Sequence, residues 1–259
     1  MKVERFLDPA RVWLLIRNAV VLNRSSLFVI AAAAAGVLLL ISLVDAFGPC
    51  RPNLHTVLYL NLLFLGGLFL TSRIYRELHD PVLGIAWLLL PASILEKTLA
   101  RVLLTTAVFI VGSMVLYFLL SIVSEGINTL LFNRRHALFS PFDTVVLKGA
   151  LAYTAIQAPF LVGAVYFRKH TLSKTVLVLL GFSLLLGLGV LVAARLLFWN
   201  HATGWDIATL IHRADFHAVW RPLSNVGRAA AFTAKALFWV VLPLVSYTIC
   251  YFRLRETER

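Results

Sequence analysis

Ionisable side chains crowd one short stretch of the sequence, residues 73–80, which read RIYRELHD. Its five ionisable residues are Arg73, Arg76, Glu77, His79 and Asp80. On an α-helix Arg73 and Glu77 lie one turn apart, as do Arg76 and Asp80, so the spacing predicts two ion pairs along one face. Pro81 disfavours helical backbone at the residue before it, so we expect the helix to break there.

The sequence after this break is apolar and then charged again. Residues 82–90 read VLGIAWLLL, and nine helical residues rise only about 14 Å, roughly half of the hydrocarbon layer of a bilayer. We therefore expect this run to lie flat or to dip partway into the membrane. Ser93 and Glu96 then have the spacing of a capping box, and Lys97 follows them. The stretch 73–97 is either a rigid element that faces a soluble partner or an ordinary loop held in place by ion pairs. Its residues are compatible with both interpretations.

Composition indicates that lipid surrounds most of the chain. Of the 259 residues, 60% are hydrophobic and 14% are charged, and the mean hydropathy is +0.87. A soluble domain carries about 25% charged residues. The apolar runs are continuous rather than alternating, which predicts an all-α integral membrane protein and not a β-barrel. The formal charge of +12 is spread over short loops, so it predicts contact with anionic lipid rather than with nucleic acid.

Apolar runs of sufficient length predict six transmembrane helices within a single domain, residues 1–259. The predicted spans are 26–47, 54–72, 98–124, 144–167, 175–199 and 229–252. With the N-terminus inside, fifteen Lys and Arg residues lie on the cytoplasmic side and eight outside, with one in a span. This bias predicts that both termini are cytoplasmic. The N-terminal residues are charged throughout and resemble no cleavable signal, so we expect a retained first span in a cell inner membrane.

Three segments outside the spans have distinct compositions. Residues 1–25 contain an amphipathic helix that begins near Asp8 and Pro9, and it lies either along the inner leaflet or against the protein's own loops. Residues 125–143 form one predicted outer loop. Residues 200–228 form the largest outer segment, which is half apolar and predicted to lie in the outer interface.

Few strongly polar residues fall inside the predicted spans. Asn61, Gln157 and Arg195 are therefore candidates for a substrate path. Each also has a structural alternative: Asn61 as a bond between helices, Gln157 as a partner for the carbonyl freed by Pro159, and Arg195 reaching outward to headgroups. Span centres hold no acidic residue, which argues against proton coupling through a buried carboxylate. Glycines, notably Gly66, Gly67, Gly181, Gly187 and Gly189, predict close packing within one subunit or with a second.

The outer segment and the cysteines predict no further site. His201, His212 and His217 share the outer segment with Asp206 and Asp215, but their spacing is not that of a metal site. Cys50 and Cys250 are predicted at opposite sides of the membrane, which is beyond the reach of a disulfide.

The layout of the whole chain resembles the permease subunits of type-2 ATP-binding-cassette (ABC) exporters. The shared features are a cytoplasmic helix before the first span, six spans, a charged segment between spans two and three that continues into LLLPASILEK, and a long outer loop between spans five and six. In that family the segment between spans two and three includes a coupling helix that docks on the ATPase subunit. The resemblance implies that the docking residues here are Arg73, Arg76, Glu77, His79, Asp80, Glu96 and Lys97.

The resemblance also implies the partners. The chain has no G-x-x-x-x-G-K-[ST] motif for nucleotide phosphates. ATP and magnesium would therefore bind a separate ATPase, this chain would hold no cofactor and would not be an enzyme, and a second copy or a related permease would complete the path. An uncharged interior suits a hydrophobic or amphiphilic substrate, and the direction of export comes from the family alone.

Two other function classes remain open from the residues. A non-catalytic assembly, immunity or signalling partner fits the composition as well as a permease does. An intramembrane enzyme is disfavoured because serine-elbow, HExxH and paired intramembrane aspartate motifs are missing from the sequence.

Overall fold

A computed structural model describes residues 8–22, 24–46, 53–79, 84, 89, 92–132, 138–197, 232–233 and 235–257. In these ranges every regular element is helical, and no strand is present. The α-helices are α1 (Pro9–Leu22), α2 (Arg24–Ala46), α3 (Leu54–Arg73), α4 (Ile94–Leu103), α5 (Phe109–Phe132), α6 (Thr144–Tyr166), α7 (Thr171–Leu197) and α8 (Leu242–Thr257). A 3-10 turn spans Arg76–His79, and π-helical turns at Leu104–Val108 and Leu237–Val241 lead into α5 and α8.

The all-α membrane architecture predicted from composition is confirmed. Five described helical stretches are long and apolar enough to cross a membrane: Leu54–Leu78, Ile94–Leu130, Thr144–Tyr166, Thr171–Gly189 and Leu237–Glu256. The first predicted span coincides with α2, which adds a sixth crossing only when it is counted together with α1 across a bend of 67°. By length and composition, the described part therefore holds five helices that could cross a membrane, or six if this bent pair is one span.

Two apolar clusters establish which helix ends lie together. At one end of the bundle, Tyr75 packs with Leu161 of α6 and with Cys250 and Leu254 of α8, while Val102 of α4 lies against them. Because α1 packs on α4 at this same end, α1 and the end of α8 share one side of the bundle. We call this side the α1 end.

The opposite end is built around aromatic rings. Tyr59 of α3, Tyr117 of α5 and Phe139 pack together with ring centroids 4.8–5.5 Å apart, and Val146 at the start of α6 joins them. Helix α6 starts at Thr144, where the fourth predicted span begins, and the Asp143 side chain caps it by accepting a hydrogen bond from the Val145 N–H at 3.2 Å. A capped start fixes where α6 enters the bundle.

Among the glycines singled out from the sequence, Gly67 of α3 makes a close contact in the interior. A Cβ atom at Gly67 would lie 2.5 Å from the ring of Tyr153 on α6. The Tyr153 hydroxyl donates to the Thr105 carbonyl at 3.0 Å, so the ring is held in place. By contrast, Gly181 on α7 has open space around it. The predicted role of glycines in close packing therefore applies to Gly67 within this chain, whereas Gly181 faces away from it.

Candidate functional site

The segment that follows α3 is anchored to the α1 end of the bundle. The helix ends at Arg73, and the next two residues, Ile74 and Tyr75, are buried. The Cys250 Sγ of α8 donates a weak hydrogen bond to the Tyr75 hydroxyl at 3.7 Å. Two apolar side chains directly after a helix end thus fix this turn against α6 and α8, because removing them from the core would expose their surface to water.

The predicted ion pair between Arg73 and Glu77 is wrong. Because α3 ends at Arg73 and a 3-10 turn begins at Arg76, the two side chains are no longer one α-helical turn apart. Glu77 Oε2 instead accepts from the Arg101 guanidinium of α4 at 2.7 Å, and the Arg73 guanidinium lies over the Phe69 ring at 4.4 Å. The other predicted pair, Arg76 with Asp80, involves a residue outside the described ranges.

The predicted capping box at the start of α4 is confirmed. Ser93 Oγ accepts from the Glu96 N–H at 3.2 Å, and Glu96 Oε2 accepts from the Ser93 N–H at 2.8 Å. The other oxygen, Glu96 Oε1, accepts from the N–H of Asp8 at 2.8 Å. One buried carboxylate therefore fixes both the start of α4 and the start of α1, two elements 88 residues apart.

Helix α1 has two apolar faces with different environments. Val12 and Ile16 are buried against α4, where Ala100 lies. Trp13 and Leu14 lie on the surface of the protein, where their side chains are 63% and 58% exposed. One face of α1 therefore packs on the protein, and the placement of α1 along the inner leaflet stays a prediction.

The structure divides the predicted docking residues into two groups. Arg73 and Arg76 are exposed, and Glu77 is half-buried in its pair with Arg101. Glu96 and Lys97 are only 1% and 2% exposed, which corrects their predicted place on the docking surface, because buried side chains hold this segment and offer no contact area. The His79 side chain and Asp80 lie outside the described part of the structure.

A buried polar cluster at the opposite end of the bundle was missed by the sequence analysis. His55 Nε2 lies 2.9 Å from Glu125 Oε1, and His55 Nδ1 lies 3.3 Å from the Tyr117 hydroxyl. Both His55 and Glu125 are buried. Nearby, Ser42 Oγ accepts from Ser124 Oγ at 2.7 Å and from Asn128 Nδ2 at 2.8 Å. These contacts join α2, α3 and α5.

The missed cluster follows from an error in one helix boundary. Residues 125–143 were predicted as an outer loop, but α5 continues to Phe132, which carries Glu125 into the bundle. The two ring nitrogens of His55 lie within hydrogen-bond distance of the Glu125 carboxyl group and the Tyr117 hydroxyl, so the three groups form one hydrogen-bonded chain. The contact between His55 and Glu125 joins α3 to α5, and the Ser42 contacts join α2 to α5. This bonding role alone accounts for the contacts.

The three candidate path residues are not brought together. Asn61 is exposed on α3 and donates to the carbonyl of Val57 at 2.9 Å. Gln157 is buried on α6, and its Oε1 has no hydrogen-bond partner among the described residues. The predicted bond of Gln157 to the carbonyl freed by Pro159 is not among the hydrogen bonds that the structure describes. Arg195 is half-buried on α7, six residues beyond the apolar stretch that ends at Gly189.

The remaining sequence predictions concern metal and cysteine chemistry. Within the described ranges, no three His, Cys, Asp or Glu side chains are grouped as a metal site requires. His201, His212, His217 and Cys50 lie outside these ranges. Cys250 is buried against Tyr75 as a free thiol.

Comparisons with known proteins leave the family open. No family model matches the chain, and the searches of curated proteins and of solved structures find no similar one. The resemblance to ABC exporter permeases therefore stays a prediction based on layout.

Proposed function

We propose that this chain is the membrane-spanning subunit of an ATP-driven transporter, of the type-2 ABC exporter class. In this proposal a separate ATPase binds the α1 end, which faces the cytoplasm across a cell inner membrane. A second copy or a related permease completes the path, and the substrate is hydrophobic or amphiphilic. The excess of Lys and Arg on the predicted inner side supports this orientation.

One observation carries the proposal: residues 74–79, directly after α3, contact three helices, and one of these helices is bonded to a fourth. Glu77 is paired with α4 through Arg101, and Tyr75 is packed against α6 and α8. Glu96, in the first turn of α4, is bonded to the start of α1. A partner that pushes on this segment would therefore move α1, α4, α6 and α8 together. Transport by rocking of helix bundles needs such a connection between a motor and the spans.

Exposed arginines give this segment a contact surface. Arg76 lies on the 3-10 turn and Arg73 at the end of α3, and both are exposed. Guanidinium groups pair well with carboxylates of a partner, often through two parallel hydrogen bonds. In the proposal Arg76 contacts the ATPase, and the buried Glu96 and Lys97 stiffen the segment behind it.

Co-purification tests this proposal. The chain, tagged and expressed at its native level, should bring down a polypeptide that hydrolyses ATP, and Arg76→Glu should release that polypeptide while the permease stays folded. Arg255→Glu is the matched control, because Arg255 is exposed near the end of α8 at the same end of the bundle. An ATPase that stays bound to both variants alike would refute the assignment of Arg76. A chain that purifies without ATPase activity would refute the proposed class and favour an assembly, immunity or signalling partner.

A further inference from the structure

A basic pocket lies at the α1 end of the bundle, between the end of α3 and the start of α7. Its volume is about 290 Å³. Three arginines line it, Arg73, Arg76 and Arg168, and the first turn of α7 supplies Thr171 and Ser173. All three guanidinium groups belong to exposed residues, so a ligand reaches them from the membrane surface.

The described carboxylates near this pocket are engaged elsewhere. Glu77 pairs with Arg101, Glu96 accepts backbone N–H groups, and Glu256 pairs with Arg253 at 2.7 Å. None of these acidic residues lines the pocket. Three arginines that line one cavity, with no carboxylate among the lining residues that the structure describes, attract an anion. The guanidinium fork matches the oxygens of a phosphate group.

Two apolar strips begin at the pocket and run towards the middle of the spans. On α7, Ser173 of the pocket is followed on the same helix face by Leu177, Leu180 and Leu184, which are 58–71% exposed. On α3, Phe69 of the pocket is followed one turn away by Leu65, which is also exposed. A ligand with a phosphate head and long apolar chains fits this pattern, because the head meets the arginines while the chains cover the strips.

We propose that this pocket binds the phosphate group of an anionic phospholipid of the cytoplasmic leaflet. The first turn of α7 adds backbone N–H groups that have no acceptor within the helix, but the site rests on the arginines and on the apolar strips. The inference goes beyond the proposed function, from which it takes the cytoplasmic orientation, and Arg76 borders both this pocket and the proposed ATPase contact. A lipid bound here would bridge the segment after α3 and the loop before α7.

Native mass spectrometry of the purified chain in detergent tests the inference. The probes are phosphatidylglycerol, the zwitterionic phosphatidylcholine with the same acyl chains, and inorganic phosphate. Wild type should prefer phosphatidylglycerol, and Arg168→Gln should lower that affinity about tenfold, the usual effect of losing one charge-assisted hydrogen bond. The double variant Arg73→Gln/Arg168→Gln should lower it further. Arg168→Lys keeps the positive charge. If Arg168→Gln weakens lipid binding because a contact with the phosphate is lost, and not because the fold is disturbed, Arg168→Lys should retain part of the affinity.

Arg255→Gln is the matched control, since it removes one exposed arginine at the same end without touching the pocket. Equal phosphatidylglycerol affinity in wild type, Arg168→Gln and the control would overturn the inference. If inorganic phosphate binding depends on Arg168 and phosphatidylglycerol binding does not, the ligand of the pocket is a free phosphate, and the proposal of a lipid is wrong. Release of the ATPase by Arg168→Gln with unchanged lipid binding would show that a partner protein occupies the pocket, which also overturns it. Because lipid binding is measured on the chain alone, failure of the ATPase proposal leaves this test intact.

Discussion

The carboxylate of Glu96 should contribute more to stability than any exposed charge at the α1 end. It accepts two backbone N–H groups at 2.8 Å, from Asp8 and Ser93, and the residue is 1% exposed. A hydrogen bond to a charged group contributes about 1.5–3 kcal/mol. Glu96→Gln keeps one carbonyl oxygen, so one N–H group loses its acceptor and meets an amide N–H. We expect a loss of about 2 kcal/mol for Gln, and about 4 kcal/mol for Glu96→Ala, which removes both acceptors.

Two assays separate this role from a general charge effect. Unfolding in mixed detergent micelles measures the free energy of unfolding, and Glu256→Gln is the control. Glu256 is exposed in a surface pair with Arg253, so its removal should change stability by less than about 1 kcal/mol. Limited trypsin digestion then reports on α1, whose exposed Arg11 and Arg17 should be cleaved faster in Glu96→Gln because α1 is released from α4. Equal stability and equal cleavage in wild type and Glu96→Gln would refute the reasoning that one carboxylate fixes both helices.

Two further predictions concern the interior. Glu125→Ala should destabilise the chain by about 1–3 kcal/mol, because it removes the carboxyl group that the buried His55 contacts. In unfolding measurements the double variant with His55→Ala should lose less stability than the sum of the two single variants, and strict additivity would contradict the pairing. Gly67→Ala should cost about 1–3 kcal/mol, because the new Cβ meets the ring of Tyr153. Gly181 has open space around it, so Gly181→Ala should be neutral or should stabilise the helix by up to about 1 kcal/mol. If both substitutions change the free energy of unfolding equally, the contact between residue 67 and Tyr153 does not restrict how closely α3 and α6 pack.

Local patterns in the sequence predicted local structure well. Ser93 and Glu96 form the capping box that their spacing indicated, because such a box involves only neighbouring residues. The Arg73–Glu77 pair failed because its spacing has meaning only on a continuous α-helix, and α3 ends at Arg73. The buried Ile74 and Tyr75 explain this end, and their partners lie on α6 and α8, far away in the sequence.

Contacts between distant residues were beyond the reach of sequence patterns. His55 and Glu125 are 70 residues apart, and each lies near the end of a predicted span, where a polar residue is ordinarily solvated. The Asp8–Glu96 bond likewise depends on how α1 folds back onto α4. The burial of Lys97 follows from the same packing, since the sequence shows a charge beside a cap but not the surface that covers it.

The central claim is that the segment after α3 receives force from an ATP-hydrolysing partner at the cytoplasmic side. The most direct measurement is ATP hydrolysis by the complex that co-purifies with the tagged chain from its own membranes. We predict activity that is retained in Arg255→Glu and lost from the Arg76→Glu preparation together with the partner polypeptide. Wild-type preparations that carry no ATP-hydrolysing polypeptide would contradict the claim.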